Sequence, residues 1–185
     1  MTSQTQPEPI LVYQMKVTLL DVRPLIWRRF QIASNQSFYY LHLTLQTVMG
    51  WENYHLYEFS FDLKAARAAK LGHWVHSERQ EFYYTYDFGD LWEHEILVEK
   101  ILNPKKGVKY PICLKGNRAC PPEDCGGPMG YMHMLRVIRN KRHPDYREMK
   151  DWLCDGYDPL AFDLRSVNQE LKELRKPMTK KATKG

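Results

Sequence analysis

No stretch of this chain approaches the eighteen or so consecutive apolar residues that a membrane helix needs. The opening MTSQTQPEPI has neither the basic segment nor the apolar core of a secretory leader. These absences lead to the expectation of a cytoplasmic protein with no membrane partner. Cysteine is scarce: there are four, and none has the Cys-x-x-Cys spacing of a zinc knuckle. In a chain without a leader, they read as thiols or metal ligands rather than as a disulfide frame. Also missing are a G-x-S-x-G elbow, a Walker A loop, a G-x-G-x-x-G turn and an H-E-x-x-H helix, to which WEHEI bears only a superficial likeness. No internal repeat is visible.

What is present describes a globular chain. At 185 residues, with 43% hydrophobic and 13% aromatic residues, it can bury one good core and is too apolar to be disordered. One domain is expected over residues 10–176, followed by a disordered basic tail at 177–185. The net charge of +5 is local. Six basic residues and one acidic residue lie from Lys172 to the end, so Met1–Leu171 balances at 21 of each sign. Within that neutral body the charge is segregated. Asp87, Asp90, Glu93, Glu95 and Glu99 have no lysine or arginine between them, whereas Lys100–Arg118 holds six basic residues and no acid. Blocks of this kind form solvated faces or a groove that steers a charged ligand.

Hairpin signals come early and helical periodicity late. ILVYQMKVTLL and PLIWRRFQI read as paired strands, and alternation puts Ile26, Arg28, Phe30 and Ile32 on one face. Arg28 then sits among apolar residues and needs a carboxylate partner, either a structural pair or a substrate anion. NQSFYYLHLTLQTVMGW reads as a helix capped by Asn35 or Ser37 and stopped by Gly50. YHLYEFSF reads as a strand, and LKAARAAKLGHW as a surface helical excursion. In FYYTYDFGDLWEHEILVE, Gly89 is expected to supply the positive φ of a hairpin turn. That register places Tyr83, Thr85, Asp87, Trp92, His94 and Ile96 on one face, with Asp87 and His94 as diagonal neighbours. Three helices follow: one opened by Pro128, one ended by Gly156, and one capped by Asp163 with Leu164, Val167, Leu171 and Leu174 inward. The fold class is α+β, an antiparallel sheet over about residues 12–98 with helices mainly from the C-terminal third.

Two irregular acidic loops draw the site hypotheses. In ACPPEDCGGPMGY, Glu123 and Asp124 precede a helix and read as its caps. If that loop lies beside the DFGD turn, Asp87, Asp90, His94, Glu123 and Asp124 make an acidic pocket answered by Arg28 and suited to a divalent cation, zinc or magnesium. Asp87 with His94 would serve as an oriented base, but a histidine sharing a face with Trp92 and Ile96 reads more readily as a hydrogen-bonded core residue. Cys113, Cys120 and Cys125 are weaker metal candidates, with ordinary buried thiols as the alternative.

Together PLIWRRF, LHLTLQTVMGW with HLYEF, YDFGDLWEHEI, CPPEDCGGPMGY and YDPLAFD resemble the plasmid pRiA4b ORF-3-like family, also labelled passenger or TnpR-type proteins of insertion elements. The resemblance spans roughly Tyr13 to Leu174. It implies a compact α+β domain on mobile elements and brings no established activity. A resolvase label finds no serine-nucleophile pattern and no tyrosine-recombinase constellation here. Two readings remain open: an accessory binding module that touches nucleic acid nonspecifically through its basic segments, and a metal-dependent hydrolase-like enzyme.

Overall fold

The computed structural model describes residues 9–60, 68–154 and 156–176. It is a six-stranded antiparallel sheet with four α-helices, a single-domain α+β fold. The strands are β1 (Val12–Leu19), β2 (Trp27–Ala33), β3 (Tyr57–Phe59), β4 (Glu81–Tyr86), β5 (Trp92–Leu102) and β6 (Ile112–Asn117), in the spatial order β3-β4-β5-β1-β2-β6. The helices are α1 (Phe38–Met49), α2 (Gly127–Arg139), α3 (Tyr146–Trp152) and α4 (Leu164–Leu174). Among the described residues no helix is long and apolar enough to cross a membrane.

Period-two alternation decides which face is buried. Met15 and Val17 of β1 pair with Val98 and Ile96 of β5 and with Phe30 and Arg28 of β2, all buried on one side. Helix α1 supplies Phe38, Leu41, Leu45 and Val48 to the same core. Its ends follow the expected chemistry: Ser37 Oγ accepts the Tyr40 N–H at 3.1 Å, and Gly50 adopts φ 94°. The opposite face is polar. There Arg29 grips Glu99 through Nε and Nη2 at 2.6 and 2.7 Å, and Gln14 donates to the same carboxylate at 2.9 Å.

Several expectations are corrected. The sheet runs beyond residue 98, because ICLKGN forms β6 on the edge of β2. The helices fall as expected, with α1 inside the strand succession and the other three in the C-terminal third. The DFGD hairpin has the opposite parity: Tyr84 faces His94 and Tyr86 faces Trp92, so these four share the buried face while Tyr83, Thr85, Glu93 and Glu95 turn outward. The cause is the five residues Asp87–Leu91 between the strands, with Asp87 and Leu91 at φ 57° and 53° and Gly89 not in the left-handed region. A change of one residue in register inverts every side chain. Glu123 and Asp124 do not cap α2; its first residue follows Gly126, and no side chain caps it. Asp163 does cap α4, accepting from Arg165 and Ser166 at 2.8 and 3.2 Å, but Leu164 is exposed. The first five residues of the expected excursion LKAARAAKLGHW, and the tail from Pro177, lie outside the described residues; residues 68–74 form no α-helix, only a 3-10 turn at Leu71–His73.

Candidate metal centre

Three loops meet at the end of β4. The first, after α1, is held by His42, whose Nε2 is 2.7 Å from Asn53 Oδ1 and whose Nδ1 is 2.8 Å from Tyr84 OH. The Tyr54 N–H donates to Tyr86 OH at 3.2 Å, and the Asp87 N–H donates to Leu56 O at 2.9 Å, which fastens this loop to the second, the DFGD turn. The third, PPED, is drawn in by Trp51, whose indole N–H donates to Pro121 O at 3.2 Å. Each loop has a non-glycine residue in the left-handed region, Asn53, Asp87 and Asp124 at φ 61°, 57° and 54°, and the DFGD turn has a second in Leu91. Such conformations persist only where the surroundings over-determine them, and they gather at functional sites.

The side chain at the meeting point is His55. Its Nε2 lies 3.4 Å from Asp124 Oδ1, 3.6 Å from Asp87 Oδ2 and 3.8 Å from Glu123 Oε2. Ligand atoms of His55, Asp87 and Asp124 all fall within 4.8 Å of one another. Metal–ligand bonds of about 2.1 Å at tetrahedral or octahedral angles set donor atoms roughly 3.0–3.4 Å apart, a spacing that the His55 contacts to Asp124 and Asp87, at 3.4 and 3.6 Å, already approach. His55 Nε2 and Glu123 Oε2 are buried atoms with no hydrogen bond, a costly state that a bound ligand relieves. The other oxygen of Glu123 is engaged: Oε1 accepts from Tyr86 OH and from the Glu52 N–H, both at 3.0 Å. Burial pushes the Tyr86 hydroxyl well above its ordinary pKa, so it remains a donor. Asp87 Oδ1 is likewise occupied, accepting the Gly89 N–H at 2.8 Å, which leaves Oδ2 facing His55.

The residues singled out from sequence separate into two groups. Asp87, Glu123 and Asp124 converge, and Asp90 buttresses them: its carboxylate accepts the Gly126 N–H at 3.2 Å. His94 does not join them. It is fully buried under Trp51 and Tyr84, its Nδ1 lies 3.1 Å from Tyr84 O, its Nε2 has no partner, and burial lowers its pKa to about 4. Nor does Arg28 answer an acid. Its N–H groups go to the carbonyls of Val48, Trp27 and Asn117 at 2.7, 2.9 and 2.9 Å, and it stacks on Phe162. Cys113, Cys120 and Cys125 are free thiols whose pKa values burial raises, to about 11 for Cys113 and about 12 for Cys125. Among the described residues they take part in no metal-ligand cluster. His55 itself was missed. Its sequence signal, a histidine two residues before the β3 strand, says nothing of the two distant loops.

An antiparallel sheet covered on one face by helices, with an imidazole and carboxylates converging on three loops, defines a compact α+β protein with a candidate cation centre. The chain belongs to the plasmid pRiA4b ORF-3-like family, whose model matches residues 11–166. It is 33% identical over 187 residues to uncharacterized protein y4hQ of Sinorhizobium fredii, covering 92% of this chain and 96% of that protein. It is also similar to the crystal structure of a protein of unknown function, MM3350 from Methanosarcina mazei Go1. That likeness has a TM-score of 0.82 and 40% identity, and covers 86% of this chain and 99% of the other.

Proposed function

We propose that the protein binds a divalent transition-series cation through His55, Asp87 and Asp124 and uses it for metal-assisted hydrolysis. The observation that carries this reading is the unsatisfied imidazole nitrogen of His55 among three carboxylates. One nitrogen with carboxylate oxygens suits manganese or zinc better than magnesium, which prefers oxygen alone. Three protein ligands leave positions open to water and substrate. Glu123 Oε2 is the acceptor for a proton from such a water, because Tyr86 and the Glu52 N–H hold only its other oxygen. Beside His55, a cleft of about 420 Å³ lined by Tyr39, Tyr57 and Asn53 gives the substrate room.

The test is calorimetric titration of metal-stripped full-length protein with Mn²⁺ and Zn²⁺. The expected result is one ion per chain, with affinity reduced at least about tenfold in Asp87→Asn and in His55→Ala. Absence of binding, or binding indifferent to both variants, overturns the reading.

A second reading, nonspecific contact with nucleic acid, is favoured by one observation. The junction of α2 and α3 gathers Lys141, His143, Arg147 and Lys150 around one concavity of about 420 Å³. Phosphate contacts release counterions, so affinity should fall steeply with salt. Titration of labelled duplex and single strands at low and physiological salt, with the full chain and a form ending at Pro177, tests it. No binding by either form at low salt refutes this reading.

A further inference from the structure

The buried guanidinium of Arg28 borders a second cavity, of about 480 Å³, between the end of α1, the PPED loop and the start of α4. Arg28 is only 2% exposed. Its Nε and Nη1 serve the structure: Val48 O is one of the last carbonyls of α1, where a cation also meets the helix dipole favourably, and Asn117 O closes β6. Nη2 makes no hydrogen bond, and no carboxylate lies within ion-pair distance of the guanidinium among the described residues. Carbonyl dipoles and the Phe162 ring, 4.4 Å away, lessen the desolvation of this charge without neutralising it. A full positive charge therefore borders the cavity without an anion.

The remainder of the lining has the opposite sign. Glu52, Glu123, Asp163 and Glu170 border the same space, and Arg28 is the only arginine or lysine among the described lining residues. Asp163 is committed to capping α4, and Glu123 Oε1 is held by Tyr86 and the Glu52 N–H. Glu170 makes no hydrogen bond or ion pair among the described residues. A phosphate or dicarboxylate would meet these carboxylates as like charges, and a simple cation would meet Arg28 in the same way. Only a ligand with both charges is complementary to both groups. Val48, Trp51 and Phe162 add apolar wall to the same cavity.

We infer that this cavity binds a free α-amino acid with an apolar side chain, its carboxylate on Arg28 Nη2 and its ammonium toward Glu170. Glu123 borders both this cavity and the cation centre, but the inference requires no bound ion, so its test is run with EDTA present. Full-length protein labelled with nitrogen-15 is titrated with the apolar amino acids, while the Arg28 Nε–H resonance and the backbone amides of Val48 and Phe162 are followed. Acetate and methylamine, titrated separately, serve as the two half-ligands. At least one amino acid is expected to shift these resonances saturably, binding at least about tenfold more tightly than either half-ligand. Because Arg28 also closes α1 and its replacement can unfold the protein, the diagnostic variant is Glu170→Gln. It should weaken amino-acid binding about fivefold or more while leaving acetate binding undiminished. If no amino acid shifts these resonances at about 10 mM, which would place any dissociation constant above the useful range, the inference fails. It fails equally if acetate binds as tightly as the best amino acid, or if Glu170→Gln has no effect.

Discussion

Acidification should destabilise the protein through His94 in a way that a single substitution removes. This imidazole is fully buried, and burial lowers its pKa to about 4, whereas in the unfolded chain it titrates near about 6.5. A depressed histidine pKa means that the folded state holds the neutral ring, and the unfolded state takes up the proton first as pH falls. The associated stability is therefore complete above about pH 6.5, lost progressively below it, and fully lost only below about pH 4. With these values, linkage gives a loss of about 2.5 kcal/mol between about pH 7 and pH 4.5 from this one group. Carboxylates titrate in the same window, so the informative quantity is the difference between wild type and His94→Leu. Leucine gives up the Nδ1 contact to Tyr84 O and removes the unpartnered Nε2, and near neutral pH the net cost should stay within about 1–2 kcal/mol. Urea unfolding at the two pH values should show a wild-type loss about 2.5 kcal/mol larger than that of the variant. Equal losses would refute a buried neutral His94.

Other outcomes follow from the same geometry. Tyr86→Phe removes a donor to Glu123 and leaves the Tyr54 N–H unanswered; thermal unfolding should report a loss of about 1–3 kcal/mol, and calorimetry a several-fold weaker cation site. Gly127→Ala would set a Cβ 2.4 Å from Asp90 O at a φ of 65°, so chemical denaturation should show at least about 2 kcal/mol of destabilisation. Asp124→Asn should weaken Mn²⁺ binding at least about tenfold with little change in melting temperature, because its side chain is mostly exposed.

The parts of this architecture legible in the sequence were those fixed by local chemistry. Alternation in PLIWRRFQI placed Arg28 on the buried face, Ser37 and Gly50 bounded α1, and Asp163 began α4, because each depends on neighbours a few residues away. The hairpin parity was not legible. Gly89 is the obvious left-handed residue of DFGD, yet Asp87 and Leu91 take that conformation and make the loop an odd length. Strand β6 was hidden in a lysine-rich stretch whose alternation extends over only six residues. The proximity of the DFGD and PPED loops was readable as a conditional, since both are acidic and irregular. The histidine between them was not: His94 shares a strand with strong signals, whereas His55 reaches the carboxylates only through the packing of α1 against β4. The expected carboxylate partner of Arg28 failed for a related reason, because the end of a helix supplies carbonyls that no local pattern reveals.

The most direct test of the cation centre is anomalous diffraction from crystals of the full chain soaked in Mn²⁺. The account predicts a single strong anomalous peak within about 2.3 Å of His55 Nε2 and of a carboxylate oxygen from Asp87 and from Asp124. That peak should be absent from crystals of Asp87→Asn. Full Mn²⁺ soaking with no peak among these three residues, or with the strongest peak at the cysteines, would contradict it.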